Sequence, residues 1–181
     1  MNIKELPIEG ALLINSTPHE DDRGRFSRIY CNDELSSVMG GKNIVQVNLS
    51  ENFVKGSIRG MHYQKKPKQE MKFIKCLKGS IFDVMIDLRN DSLSFLQWFG
   101  IELNETDGNT LLVPEGCAHG FQVLEQNSNL LYFHSEFYDP SFERGIPYND
   151  PTIKVKWPLP ISVISKKDLS YNFIVNNFQG V

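Results

Sequence analysis

The chain has 181 residues, enough to bury a full core and within the size of one domain, so a single domain spanning 1–181 is predicted. Its formal net charge of −3 at pH 7 lacks the basic excess that binding to a phosphate backbone requires, so nucleic-acid binding is not expected. Three cysteines without metal-type spacing argue against a disulfide framework and a zinc site, and no apolar run is long enough to cross a bilayer, so a cytoplasmic protein without membrane contact is expected.

The first forty residues predict two short strands and one short helix. Strands are expected at residues 11–15 and 26–30, on either side of a polar loop that contains Arg23. A helix is expected at residues 33–39, and the pair Gly40-Gly41 would end it. The residue types alone favour a solvated charged turn for the arginines of this region.

From residue 44 onward the pattern is that of β-strands. Strands are predicted at residues 44–49, 57–63, 71–77, 79–87, 98–103, 110–113, 119–124 and 129–138. Turn signals such as Lys78-Gly79 and Asp107-Gly108 separate them. Many short strands at regular spacing indicate a sandwich or barrel rather than βαβ units.

The first of these strands has two chemically different faces. Gln46 and Asn48 alternate with Val45, Val47 and Leu49, so the two amides project to one face and the apolar side chains to the other. Amides on an inward face would suit a sugar or a pyrimidine.

A cationic cluster lies in the next strand and just beyond it. Arg59 and His62 fall within one predicted strand, and Lys72 follows after a short basic loop. Burying such charges without a partner is costly, so we interpret the cluster as the floor of an active site. The alternative is an edge-strand histidine with Arg59 and Lys72 in water, as arginine and lysine commonly are.

The segment Gly108-x5-Pro114-x-Gly116-x2-His119-x3-Val123 has the spacing of the second motif of the cupin superfamily. Val123 stands where metal-binding cupins carry asparagine, and His62-Tyr63-Gln64 replaces the His-x-His pair of the first motif. Two histidines do not make a metal site, which needs about three protein ligands. We therefore predict that no metal is used.

Together these segments resemble one branch of that superfamily, the dTDP-4-dehydrorhamnose 3,5-epimerases, from about residue 7 to about residue 170. The matching segments are DDRGRF (21–26), QVN (46–48), GSIRGMHYQ (56–64), Lys72, GSIFDVMIDLR (79–89), PEGCAHGFQ (114–122), LYFHSEFYDP (131–140), ERGIPYNDP (143–151), WP (157–158) and SKKD (165–168).

The resemblance implies a mainly β fold, a double-sheet antiparallel jelly roll with a few short helices. It implies epimerisation at carbons 3 and 5 of a nucleotide-linked 4-keto-6-deoxyhexose, without a cofactor. His62 resembles the base, Asp168 the carboxylate that orients it, Tyr132 the acid on the opposite face, and Lys72 the group that stabilises the enolate. A homodimer is also implied, in which Arg23 reaches the partner's site.

The predicted substrate-binding residues carry over in the same way. They are Arg23, Arg59 and His119 for the diphosphate, Tyr138 for stacking on thymine, and Gln46, Asn48 and Glu143 for base and sugar. From the residues alone, Tyr132 and Tyr138 would be sheet aromatics on one strand. Asp83 is expected either to support His62 or to satisfy backbone groups, and Lys166 or Lys167 to reach the nucleotide.

Two departures leave the substrate open. Arg28 stands where the family usually carries an acidic residue close to the nucleotide, and Tyr148 replaces a common tryptophan. A dTDP-linked sugar is the expected substrate. The alternatives are a single-carbon epimerase or ketoisomerase acting on another nucleotide sugar, and a non-catalytic or metal-using cupin.

Overall fold

A computed structural model describes residues 1–175 and 177–181. The strands are β1 (Asn2–Glu5), β2 (Leu12–Asn15), β3 (His19–Asp21), β4 (Gly24–Phe26), β5 (Gln46–Asn52), β6 (Ile58–Gln64), β7 (Lys72–Lys78), β8 (Ser80–Asp87), β9 (Trp98–Asn104), β10 (Asn109–Val113), β11 (Cys117–Val123), β12 (Ser128–His134) and β13 (Glu143–Gly145). The two helices are α1 (Ser36–Met39) and α2 (Lys166–Leu169).

Eleven of the thirteen strands form two antiparallel sheets that face each other, which confirms the predicted jelly roll. The six-stranded sheet has the order β1-β2-β10-β7-β12-β5, and the five-stranded sheet has the order β13-β6-β11-β8-β9. The main core lies between them and includes Ile74, Leu111 and Leu130 from one sheet and Met85 and Phe121 from the other. In β7 and β10 alternate side chains enter this core, Ile74 and Cys76 in the first and Leu111 and Val113 in the second.

Three predicted elements end or begin elsewhere. Residues 27–30 are not strand, because β4 pairs only with β3 in a two-stranded hairpin. Residues 135–138 are not strand either, because the pairing of β12 with both neighbours ends at His134. The first helix is shorter than predicted, and Gly40 ends it in a left-handed conformation, with φ of 57°.

The cysteines are free thiols, as their number predicts. Cys76 and Cys117 are buried, and Cys31 is partly exposed. Burial raises the pKa of Cys76 to about 11 and that of Cys117 to about 12, so both remain protonated and unreactive near neutral pH. Within the described residues, no helix is long and apolar enough to cross a membrane.

Candidate active site

A cavity of about 670 Å³ opens between the two sheets and contains most of the predicted site residues. Its wall includes His62, Lys72, Tyr132, Asp168, Asn48, Arg59, His119, Tyr138 and Glu143. The six-stranded sheet contributes through β5, β7 and β12, and the five-stranded sheet through β6, β11 and β13. The cavity therefore presents groups from two opposing surfaces to a single ligand.

His62 lies on β6 and is hydrogen-bonded to Asp168 of α2. The His62 Nε2–Asp168 Oδ1 distance is 2.7 Å, and Asp168 Oδ2 accepts a hydrogen bond from the Gly60 N–H at 3.2 Å. Burial raises the pKa of the Asp168 carboxyl, but its bonds to His62, Gly60 and Ser165 outweigh burial and hold the pKa below its ordinary value. The carboxylate is thus ionised and able to hold a proton on Nε2 of His62.

Gly60 brings the backbone of β6 unusually close to β11. Its φ is 110°, and a Cβ atom there would lie 2.7 Å from both the Gly120 Cα and the His119 carbonyl oxygen. Only glycine fits this approach. It sets His62 directly opposite His119 in the strand register.

Tyr132 faces the cavity from β12, on the sheet opposite His62. Burial, reinforced by the charge of Asp83, raises the pKa of the Tyr132 hydroxyl well above its ordinary value. The hydroxyl therefore remains protonated near neutral pH and can act as a proton donor.

His119 is fixed by a buried carboxylate. Its Nε2 lies 2.9 Å from each of the two Asp83 oxygens. Its ring meets the Tyr132 ring edge-on, with 5.9 Å between the ring centroids. Neither alternative expected for Asp83 is found among the described residues, because its side chain bonds His119 on the adjacent strand rather than His62 or a backbone group. Burial raises the pKa of Asp83, while His119 and Lys72 oppose that rise.

Two site residues, Glu70 and His134, were missed by sequence reasoning. Lys72 Nζ lies 3.2 Å from Glu70 Oε1, and Glu70 Oε2 accepts a hydrogen bond from His134 Nδ1 at 2.7 Å. Burial raises the pKa of Glu70, but Lys72 and His134 outweigh it, so the pKa lies below its ordinary value. His134 was detectable in principle, since it stands two residues after Tyr132 and shares its strand face.

At the mouth of the cavity, Tyr138 follows β12 in a loop. Its hydroxyl donates a hydrogen bond of 2.7 Å to Glu143, which also forms an ion pair with Lys167. Its backbone N–H donates to Gln46 Oε1 at 3.2 Å. Gln46, predicted to contact the ligand, is used in holding this loop and does not line the cavity.

Arg23 and Arg28 also lie outside this cavity. The Arg23 side chain is 89% exposed in the β3–β4 turn and is paired with Asp21. Arg28 is paired with Glu34 beside a second cavity of about 480 Å³. Neither arginine therefore contributes to the cavity of its own chain.

Tyr171 is a third site residue, after Glu70 and His134, that the sequence did not indicate. Its ring meets the His62 ring edge-on, with 5.9 Å between the ring centroids. The same ring packs on Gly145, where a Cβ atom would lie only 2.2 Å from it. Its hydroxyl is buried without a hydrogen-bond partner among residues 1–175 and 177–181. The ring limits the positions open to the His62 imidazole.

In the part of the chain that the structure describes, no group of three or more His, Cys, Asp or Glu side chains is arranged to hold a metal ion. Metal independence stays a prediction.

Comparison with known proteins finds relatives over nearly the whole chain. A family model described as dTDP-4-dehydrorhamnose 3,5-epimerase matches residues 5–175. The dTDP-4-dehydrorhamnose 3,5-epimerase of Mycobacterium tuberculosis is 38% identical over 160 residues, covering 88% of this chain and 79% of its own. The dTDP-6-deoxy-D-glucose-3,5-epimerase of Legionella pneumophila, in complex with dTDP-4-keto-L-rhamnose, has a TM-score of 0.89 at 32% identity, covering 95% and 92% of the two chains. A 3'-monoepimerase of Streptomyces bikiniensis, in complex with dTDP-quinovose, has a TM-score of 0.85 at 27% identity, covering 93% and 85%.

Proposed function

The chain belongs to the dTDP-4-dehydrorhamnose 3,5-epimerase family, and we propose that it converts dTDP-4-dehydro-6-deoxyglucose to dTDP-4-dehydrorhamnose. The observation that carries the proposal is the placement of a carboxylate-supported histidine, His62, and a protonated tyrosine, Tyr132, on opposing sheets around one cavity. Inversion at carbon needs this arrangement, since a proton leaves one face and another arrives at the opposite face.

The proposed chemistry proceeds by proton transfer through an enolate. The 4-keto group acidifies the hydrogens on carbons 3 and 5, and His62 removes one of them through Nδ1. The electron pair moves onto the oxygen of carbon 4, where the Lys72 ammonium group stabilises the developing charge. Tyr132 then gives its proton to the opposite face of the carbon, and solvent restores both side chains.

The charges of the cavity support a nucleoside diphosphate as the rest of the ligand. Arg59 lines the cavity and, among the described residues, forms no ion pair with a carboxylate. Its planar guanidinium group suits two phosphate oxygens at once. The half-exposed Tyr138 ring at the mouth offers a surface for stacking a base.

The experiment is proton NMR of the protein with dTDP-4-keto-6-deoxyglucose in deuterated water, beside the His62→Ala variant. Deuterium should enter at carbons 3 and 5, a reductase should trap a rhamnose-configured product, and the variant should show no exchange. Equal exchange in a folded His62→Ala variant would overturn the assignment of the base.

A second candidate is a single-carbon epimerase, favoured by the likeness to the Streptomyces bikiniensis 3'-monoepimerase. It needs the same base, acid and ammonium group, and differs only in how the sugar ring is held. Deuterium at one carbon only, with a product inverted at that carbon alone, would establish this candidate over the first.

We further propose a homodimer that forms on the outer face of β5. This edge strand turns Asn48 toward the cavity, while Val47 and Leu49, 53% and 56% exposed, face outward. An apolar face on an edge strand is a risk for a monomer and a basis for pairing two copies. Light scattering should give twice the chain mass for the native protein and one chain mass for Val47→Glu/Leu49→Lys. A native monomer would refute the proposal.

A further inference from the structure

We propose that Glu70 is a positioning residue for Lys72, and that His134 and Asn48 hold Glu70 in place. The inference rests on the proposed function, since it concerns how the enolate-stabilising group is presented to the sugar. It assigns a role to three residues that the proposed proton transfers do not use.

The contacts of Lys72 leave at least one N–H for a ligand. Its ammonium group forms an ion pair with Glu70 Oε1 at 3.2 Å and a hydrogen bond to the His62 carbonyl oxygen at 3.4 Å. Within residues 1–175 and 177–181 these are its two partners, and an ammonium group has three donors. These two contacts restrict a flexible stem that would otherwise sample many rotamers.

Glu70 in turn has its second oxygen fixed. His134 Nδ1 donates to Oε2 at 2.7 Å, and the other ring nitrogen, Nε2, lies 3.2 Å from Asn48 Nδ2. We take Nε2 as the acceptor of the Asn48 amide N–H. This assigns His134 the tautomer with its proton on Nδ1.

The chain of contacts crosses three neighbouring strands. Asn48 is on β5, His134 is at the end of β12, and Glu70 lies two residues before the start of β7. The side chains of Glu70 and Lys72 are only 8% and 10% exposed, so water competes weakly with their pairing. His134 also stacks on Tyr132 at 5.9 Å with 16° between the rings. One network thus orients the enolate-stabilising group and flanks the proposed acid.

The first test measures turnover of the exchange reaction in Glu70→Gln, Glu70→Asp and the matched control Glu115→Gln, whose carboxylate pairs with Lys42 outside the site. Glutamine keeps the shape but loses the charge, and its amide N–H must face either the Lys72 ammonium group or the Nδ1 of His134. We expect kcat to fall about 10- to 100-fold with KM changed less than about 3-fold, because a misplaced catalytic group slows the reaction more than it weakens binding. Aspartate should recover part of kcat, and the control should match the native protein.

Two outcomes of this test would overturn the inference. One is a Glu70→Gln variant that is folded, by circular dichroism, and keeps native kcat. The other is a rise in KM with kcat unchanged, which would make Glu70 a binding residue.

The second test does not depend on the reaction. Nitrogen-15 NMR of the imidazole rings near neutral pH should show His134 with its proton on Nδ1, and Glu70→Gln should weaken that preference. The chain has four histidines, so His134→Gln identifies the signal. A proton on Nε2 in the native protein would overturn the network even in an active enzyme. Native protein that shows this tautomer but exchanges no deuterium would support the network and overturn the proposed function.

Discussion

Asp168 Oδ1 lies 2.7 Å from His62 Nε2, although 106 residues separate the two in sequence. The short helix α2 delivers the carboxylate, and Ser165 Oγ caps that helix by accepting the Asp168 N–H at 3.0 Å. With the Nε2 proton held by Asp168, the lone pair of neutral His62 is on Nδ1. The pair therefore defines which nitrogen acts as the base.

Replacing Asp168 by Asn should lower kcat about 100-fold or more. The amide carries no charge to stabilise the imidazolium, and it can turn its own N–H toward Nε2 and select the wrong tautomer. Deuterium-exchange rates in the variant would test this, with circular dichroism to verify folding. Asp91→Asn, on an exposed turn, is the matched control. A folded Asp168→Asn variant within threefold of native kcat would contradict the role.

Tyr132→Phe should separate proton removal from inversion. The His62–Asp168 pair is untouched, so deuterium should still enter the substrate from solvent on the face that His62 serves. Inversion should slow by about 10²- to 10⁴-fold, the usual contribution of a general acid. NMR reports both events in one sample. Loss of exchange and inversion in equal measure would show that Tyr132 is needed before the enolate forms.

The strand pattern was largely readable from the sequence because alternation fixes which side chains share a face. Asn48 faces the cavity while Val47 and Leu49 face outward, as that alternation predicts. The end of β12 was not readable, because it depends on where β5 and β7 stop pairing with it. Tyr138 consequently lies in a loop at the mouth rather than on a strand beside Tyr132.

The predicted catalytic residues lie around one cavity. Their placement was predictable because each falls in a segment that resembles the family. Partners chosen by three-dimensional packing were not accessible in the same way. Glu70 looks like any loop carboxylate until β7 and β12 bring it between Lys72 and His134. Asp83 was open to two interpretations, support of His62 or of backbone groups, yet the strand order pairs it with His119.

Acid should destabilise the protein in part through Asp87, at the end of β8. Burial raises the pKa of this carboxyl, but hydrogen bonds from Arg89, Ser92 and Ser94 lower the pKa by more. The net effect is a pKa of about 2 instead of the ordinary 3.8. A depressed carboxyl pKa stabilises the fold above the unfolded pKa, and that stabilisation is lost as pH falls from about 4 through about 2. The shift corresponds to about 2 kcal/mol.

Denaturant unfolding of the native protein and Asp87→Asn across that pH range measures the contribution of Asp87. The difference in unfolding free energy between the two should shrink by about 2 kcal/mol toward low pH. A difference that stays constant with pH would mean that Asp87 stabilises the turn by its shape and hydrogen bonds rather than by its charge.

Tyr171→Phe should make the protein more stable. Burial, with the charges of Glu143 and Asp168, raises the pKa of the Tyr171 hydroxyl to about 12, so the group remains a donor without an acceptor among the described residues. An unsatisfied buried polar group costs about 1–3 kcal/mol, and 1 kcal/mol corresponds to about 2–4 °C in a chain of this size. Thermal unfolding should therefore show a rise in Tm of at least about 2 °C. The ring that contacts His62 is kept, whereas Tyr171→Ala removes it and should lower kcat. A lower Tm for Tyr171→Phe would mean that the hydroxyl has a partner in solution, such as a bound water.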